Sequence, residues 1–367
     1  MFIKELTLHN FRNYEHQTIQ FDEGINILYG ANAQGKTNVA EGVFFLCTGY
    51  SPRASRDVQL IKKDCKEGYV KGQAVGMYGS VSVQIDLNKN DKKIIKVNEM
   101  PIKRLGELMG NINAVFFNPG ELKLVQESPE DRRRFLNISL SEQSKAYFYA
   151  LQRYNKILVQ RNNLLKEHDA DMVLDTLNLW DTQMATVGAK IIKDRLAFLK
   201  QLSPYASEYQ SLISENKEIL TLDCESGYSG DENEIATAFL NDLERFRERD
   251  LRLGFTTVGP HRDDIKIHLN NEDVKIYGSQ GQHRTIALSL KLAEVNVFKD
   301  KFGENPILIL DDVLSELDKR RQKKLIGLLD GIQTLITCTN IDGTVYGKRP
   351  LTRIQIAGGK VKNITKK

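Results

Sequence analysis

Cysteine is scarce in this 367-residue chain: Cys47, Cys65, Cys224 and Cys338 lie far apart, with no CxxC pair among them. Neither a structural zinc site nor a disulfide framework is therefore expected. Long apolar runs are missing too. Nothing approaches the roughly 18 uninterrupted apolar residues of a membrane helix. Met1 to Leu6 meets a charge every few positions and lacks the apolar centre of a secretion signal. The expectation is a cytoplasmic protein with no membrane partner. No strong charge of one sign is present: the net charge of +4 permits nucleic-acid binding without arguing for it, because a local patch matters more than the total. Internal repeats and low-complexity segments are absent as well. What remains is ordinary globular composition, 41% hydrophobic and 27% charged, able to bury a core.

The first part of the chain reads as strands, Phe2–Leu8, Thr18–Phe21 and Ile25–Tyr29, then a glycine turn and a helix over Lys36–Cys47. Gly68–Ala74, Ser80–Leu87 and Lys93–Val97 read as a small antiparallel sheet, and Ile112–Phe117 as a buried strand. Ser128-Pro129-Glu130-Asp131 is a helix start, with a Ser cap and Pro at the first helical position. From Ser141 to Asn216 the sequence has a single glycine, Gly188, and a single proline, Pro204. Leu151, Leu158 and Leu165 recur at seven-residue spacing, as do Leu177, Met184, Ile191 and Phe198, with Tyr154, Trp180 and Val187 between them. This predicts an antiparallel helical hairpin turning at His168–Asp171, with arms of about 40 to 50 Å at 1.5 Å per residue. Beyond it, strands are expected at Glu218–Cys224, Asp264–Leu269, Val274–Tyr277, Ile307–Leu310, Leu335–Thr337 and Arg353–Ile356. Helices are expected at Glu232–Arg249, Gln280–Lys301 and Asp318–Leu329.

Gly30-Ala31-Asn32-Ala33-Gln34-Gly35-Lys36-Thr37 matches G-x-x-x-x-G-K-[ST], with a strand before it and a helix after it. Its glycines let backbone N–H groups and a helix N-terminus face an anion. Lys36 is expected on the β- and γ-phosphates of ATP, and the Thr37 hydroxyl on Mg2+. Ile307 to Asp312 is an apolar run ending in acid, the form in which a buried strand delivers a carboxylate to the end of a parallel sheet. Asp311 is the expected Mg2+ partner, and Asp312 the candidate for polarising the attacking water. Lys36 and Asp311 are 275 positions apart, so both ends of the chain must meet to build one site.

Gly278-Ser279-Gln280-Gly281-Gln282 precedes a long helix, and Ser315-Glu316-Leu317-Asp318 follows Asp311 closely. In this order they resemble the signature and D-loop of ABC-type ATPases, in which a helix N-terminus caps the γ-phosphate held by a second subunit. Further segments sharpen the resemblance: Asn10 to Tyr14 (NFRNY), the loop continuing into Glu41, Ser51-Pro52-Arg53, Ser128 to Arg134 (SPEDRRR) and Gly259 to Asp264 (GPHRDD). As a set they are similar to the bacterial RecF family, recombination mediators related to SMC-type ATPases, over essentially the whole chain. No Q-loop glutamine stands in Phe117–Glu121; Gln126 is the nearest candidate. Asp312 stands where many ABC enzymes carry Glu.

The resemblance implies an α/β fold: an ABC-type P-loop ATPase head, with a parallel-sheet core and an antiparallel β subdomain, carrying an inserted helical hairpin. The head would comprise residues 1–123 and 217–367 and the arm 124–216. It implies an ATP-dependent homodimer that binds double-stranded DNA near single-strand gaps, turns ATP over slowly and, with RecR and RecO, promotes RecA loading. Ser279, Gly281, Gln282 and Asp318 would act across the dimer. Arg12 either clamps the nucleotide phosphates or forms an ion pair at the sheet edge. Arg53 and Arg56 contact phosphate or DNA, or belong to a solvated face. His261, Arg262 and Asp263 read as structural or interfacial, and Arg132 to Arg134 as a helix face. The competing readings are an ABC transporter ATPase subunit, which the helical hairpin and GPHRDD segment disfavour, and a clamp that binds ATP to close on DNA without hydrolysing it.

Overall fold

A computed structural model describes residues 1–167, 170–347 and 349–366, and side chains outside 170–175. The turn expected at His168–Asp171 begins outside the described residues. In chain order the first elements are β1 (Phe2–Phe11), β2 (Tyr14–Gln20), β3 (Ile25–Tyr29), α1 (Lys36–Thr48), β4 (Glu67–Gly76), β5 (Gly79–Asn88), β6 (Ile94–Val97), β7 (Met100–Pro101) and β8 (Ala114–Phe117). Helices follow: α2 (Lys123–Gln126), α3 (Pro129–Gln143), α4 (Lys145–Leu164) and α5 (Ala170–Ser214). Next come β9 (Leu220–Glu225), α6 (Glu232–Arg245), α7 (Arg247–Leu253), β10 (Asp264–Leu269), β11 (Glu272–Asp273) and α8 (Val274–Tyr277). The remainder holds α9 (Gln280–Phe302), β12 (Ile307–Asp311), α10 (Lys319–Gly327), β13 (Thr334–Cys338), α11 (Gly343–Tyr346), β14 (Leu351–Ala357) and β15 (Lys360–Lys366).

Contacts divide the chain into two compact units. One is Met1–Leu122 with Tyr205–Ile219 and Ser279–Lys367; the other is Lys123–Pro204 with Leu220–Gly278. The division differs from the expected one, which placed 220–278 with the head and 205–216 with the arm. The end of α5 packs on α9 instead: Ser289 donates to Gln210 Oε1 at 3.0 Å and Asn296 to the Tyr209 hydroxyl at 3.1 Å. The β10 strand is held by α3, where Arg132 forms a two-bond pair with Asp264 at 2.6 and 2.9 Å. The change of unit falls at Pro204, inside α5, where a helix loses an N–H donor and is easiest to bend.

The first unit has two six-stranded sheets, in the orders β2-β1-β4-β5-β6-β7 and β15-β14-β3-β13-β12-β8. The former is antiparallel; in the latter β14, β3, β13, β12 and β8 run parallel. Apolar runs such as Ile307–Leu310 are buried on both faces, as a covered parallel sheet requires. Helix α1 is buried nearly all round because it touches both sheets. Gly42 lies so close to Leu8 of β1 that a Cβ there would meet its Cδ2 at 3.0 Å, while Phe44 packs on Phe116 of β8 with ring centroids 5.1 Å apart. Beyond the last expected strand, Arg353–Ile356, the chain forms an additional edge strand, β15. Its mostly exposed, lysine-containing sequence gives little apolar signal, yet suits an edge strand that must not recruit another chain.

The second unit has a three-stranded sheet, β11-β10-β9, and a bundle rather than a lone hairpin. Leu177, Met184, Ile191 and Phe198 are buried as the seven-residue spacing predicts. On α4, however, Tyr147, Tyr154, Ile157 and Arg161 are buried, while Leu151 and Leu158 are only half-buried. The stripe is displaced because α6 contributes its own apolar face, Ile235, Phe239 and Leu243. Phe239 fills the space over Gly188, where a Cβ would lie 2.5 Å from its ring. Helix α5 runs 45 residues, about 68 Å at 1.5 Å per residue, longer than either expected arm. The expected strand Val274–Tyr277 is a helical turn, α8, because Asp273 caps it by accepting from Lys275 N at 2.8 Å. Strands β10 and β11 form a hairpin that turns at Asn270–Asn271, with φ of 52° and 69°.

Candidate functional site

The parallel strands end at a common edge. Asp311 of β12 is level with Thr337 of β13, and Cys338 with Tyr29 of β3. Leu310 pairs with Phe117, so the next residue of the β8 chain, Asn118, is at the level of Asp311. Gln126, the nearest glutamine, ends α2 in the other unit.

From this edge the Gly30–Thr37 loop wraps into α1. Its shape demands glycine twice. Gly30 has φ 147° and faces the Ile356 carbonyl of β14, which a Cβ would approach to 2.2 Å. Gly35 has φ 113° and is hemmed in by Asn13 and the Tyr14 hydroxyl at 2.8 to 2.9 Å from a would-be Cβ. Ala33 takes a left-handed φ of 64°. Ala31, Asn32 and Ala33 are exposed, and Gln34 is half-buried. The Lys36 ammonium folds back across the loop, donating to the Gly30 and Ala31 carbonyls at 2.7 and 2.8 Å.

Thr37 donates to Asp311 Oδ1 at 2.8 Å, joining two motifs 274 residues apart. Thr337 donates to the same oxygen at 2.7 Å and accepts from Asp312 N at 2.9 Å. Thr337 belongs to no motif, and only strand pairing brings it here. Burial raises the Asp311 pKa above the usual carboxylate range, offset in part by the Thr337 and Thr37 hydrogen bonds. Asp312 is exposed and held at φ 57°.

Arg12 sits at the β1–β2 turn with φ 55° and forks onto the fully buried Glu41 at 2.8 and 2.6 Å. Its third bond goes to the Gln59 carbonyl at 3.0 Å. Arg53 reaches the same carboxylate at 3.7 Å and donates to Asn38 Oδ1 at 3.1 Å. Glu41 thus organises both arginines beside the start of α1, and Arg12 is in an ion pair. Arg56 is exposed.

The remaining predicted residues gather at the start of α9. Ser279 caps that helix: its Oγ accepts from Gln282 N at 3.3 Å and Gln282 Oε1 accepts from Ser279 N at 2.8 Å. Gln282 also donates to Glu218 at 3.0 Å. Gly281 faces Arg321, whose Nη1 would be 3.5 Å from a Cβ, an ordinary contact. Arg321 in turn pairs with Asp318 at 3.2 Å, and Asp318 caps α10 by accepting from Arg320 N and Arg321 N. Those N–H bonds hold the Asp318 carboxyl below its usual pKa.

Parallel sheet, glycine loop, strand-end acid and capped signature helix together define an ABC-type ATPase head. The family described as RecF/RecN/SMC N terminal domain matches residues 2–345. DNA replication and repair protein RecF of Ruminiclostridium cellulolyticum is 44% identical over 347 residues, covering 93% of each chain. RecF of Agathobacter rectalis is 40% identical over 367 residues, covering 99% of each. Solved structures of the recombination mediator protein RecF in the RecFOR pathway, RecF-ATPrS and RecF-ATP, align with TM-scores of 0.90 and 0.89 at 36% identity. They cover 98% and 100% of this chain and 97% of theirs. A Smc head shares the fold at TM-score 0.60 and 16% identity. The chain belongs to the RecF family.

Proposed function

We propose that the chain is a DNA-dependent ATPase that acts as a recombination mediator at single-strand gaps in the cytoplasm. ATP binding drives dimerisation on duplex DNA, slow hydrolysis resets it, and RecR with RecO joins it in loading RecA. The observation that carries this reading is the Thr37–Asp311 hydrogen bond, which assembles the phosphate loop and the strand-end acid at one point. Full-length similarity to RecF of the RecFOR pathway supports the biological role.

Residues Gly30 to Thr37 cradle the phosphates of ATP with loop N–H groups that glycine alone lets approach closely. Lys36 exchanges its two loop carbonyls for phosphate oxygens. The hydroxyl of Thr37 and the carboxylate of Asp311 are hard oxygen donors that fit Mg2+. The fit is also electrostatic: the two hydrogen bonds on Asp311 come from neutral hydroxyls and burial raises its pKa, so a cation beside it would stabilise the carboxylate. Mg2+ supplies charge neutralisation on the transferring phosphate. Asp312, exposed at the strand end, orients water. Gly281 has room for a side chain within its own chain, so its smallness serves something outside it. Ser279, Gly281 and Gln282, with Asp318, cover the γ-phosphate held by a second copy. Arg53 and Arg56 offer exposed cations to DNA phosphates.

Sedimentation with a non-hydrolysable ATP analogue tests the composite site. Wild type should dimerise with the analogue and not with ADP; Ser279→Arg should bind the analogue as a monomer. A monomeric wild type, or a dimeric Ser279→Arg, sinks the proposal. Turnover with and without gapped duplex, with Lys36→Ala as blank, separates an ATPase from a non-hydrolysing clamp. A gel shift with gapped DNA separates it from a transporter subunit.

A further inference from the structure

A loop that turns its N–H groups toward an anion turns carbonyls outward, and each needs a donor. For Gly30, Ala31, Asn32, Gln34 and Gly35 those donors are at hand. Lys36 serves Gly30 and Ala31, and Gln34 Nε2 serves Asn32 at 3.3 Å. The Gly35 carbonyl accepts from the Tyr14 hydroxyl at 3.1 Å. The Gln34 carbonyl accepts from Asn13 Nδ2 at 3.1 Å and from Gly359 N at 3.0 Å. Gly358 N donates to the Gln34 side-chain oxygen at 2.6 Å.

Two consecutive N–H groups of the β14–β15 turn thus fasten one loop residue, by backbone and side chain together. The same hairpin backs Gly30 with the Ile356 carbonyl. Gly358 and Gly359 have φ of 59° and 68°, and a Cβ on Gly359 would meet the Asn13 carbonyl at 2.7 Å. The hairpin is itself anchored, Val361 N to Gln17 at 3.0 Å and Lys366 to Asp22 at 2.6 Å.

We infer that the C-terminal β14–β15 hairpin is a positioning element of the nucleotide site, holding the phosphate loop in its anion-binding shape through Gln34. The inference rests on the ATP reading above. Once Lys36 transfers to phosphate, the Gly30 and Ala31 carbonyls lose its restraint, and the hairpin and the β1–β2 turn hold the loop from outside. Coupling is reciprocal, so bound nucleotide must also quieten the hairpin.

Titration of the full chain with ADP and ATP tests this. Gln34→Ala and Gly359→Ala should each weaken both nucleotides by about five-fold, the scale of one hydrogen bond. Gly79→Ala is the control: φ is 112° at the β4–β5 turn, with open space around it, so it carries backbone strain away from the loop. It should bind as wild type does. Hydrogen exchange at Gly358 and Gly359 should slow when nucleotide binds, which a purely structural turn would not do. Should Gly359→Ala fail to fold, Gln34→Ala, whose backbone is unaltered, decides. Wild-type affinity in Gln34→Ala, or exchange indifferent to nucleotide, overturns the inference. A wild type that binds neither nucleotide overturns instead the reading beneath it.

Discussion

In the helical unit, Arg161 is fully buried and shared between Asp181 at 2.6 Å, Asp250 at 2.7 Å and Thr256 at 2.8 Å. Asp250 accepts further bonds from Thr257 N and its hydroxyl, and Asp181 pairs with Arg247. Arg195 is held by Tyr147, Asn137, Asp263 and the Pro260 carbonyl. In the ATPase head, by contrast, buried Lys36 holds two carbonyls of a glycine-rich loop, and buried Asp311 holds two hydroxyls. In the first kind of burial charge meets opposite charge within the protein, with Arg161 Nη2 left without a hydrogen bond, and removing one partner strands the rest. The second leaves a cation and an anion with neutral partners, which a ligand of opposite charge can replace. The same distinction explains the GPHRDD segment. Pro260 and Asp263 hold Arg195, and His261 bonds Tyr154 at 2.7 Å, so its polar groups hold the bundle together.

The contrast is sharpest where a self-contained network is cut. Arg161→Met leaves Asp181 and Asp250 buried beside an apolar side chain, and should cost about 3 to 5 kcal/mol of stability. A thermal or urea melt reads it; a loss below 1 kcal/mol would mean that the network is not held as tightly as its geometry implies.

His261 tests the same region by pH. Burial pushes its pKa down to about 4, with Thr256 O opposing and nearby Arg262, Arg133 and Arg161 assisting. Neutral when folded and protonated when unfolded below about 6.5, it contributes stability that is full above that pH. As pH falls from about 6.5 to about 4, up to roughly 3 kcal/mol is lost. His261→Gln should flatten the melting profile across this window. A profile as steep as wild type would assign the acid sensitivity elsewhere.

Lys36→Ala should do the opposite of Arg161→Met, weakening ATP at least tenfold while moving the melting temperature far less. The proposed bonds to phosphate would be charge-assisted, worth about 1.5 to 3 kcal/mol each. Unchanged affinity in a fluorescence titration removes Lys36 from the site. The smallest effect belongs to exposed pairs: Lys71, 2.8 Å from Glu99, should tolerate alanine without a measurable shift in melting, because solvent already screens it.

Much of this was legible in the residues. The loop from Gly30 to Thr37 and the strand ending at Asp311 follow from local spacing, and β3, α1 and β12 start within a residue of where periodicity puts them. Thr337 was not legible, since a threonine in an apolar strand has no motif, and parallel register alone carries it to Asp311. Gly358 and Gly359 were equally silent, and Asn13 and Tyr14 stood out as part of NFRNY with no sign of the loop carbonyls they serve. Each lies more than 20 positions from the loop carbonyl or side chain it serves. That α6 joins the helical pair was not legible, because heptad spacing describes one pair and is blind to a further helix arriving from beyond β9.

By itself, the sequence determined where the phosphate-loop motif lies, which strand is buried on both faces and which family the chain resembles. Those properties depend on neighbours a few positions away: glycine at φ above zero, a helix N-terminus, an apolar run closed by acid. The tertiary structure decided what surrounds them. It committed Arg12 to Glu41, bonded Asp311 to the hydroxyls of Thr37 and Thr337, and placed the C-terminal turn on Gln34.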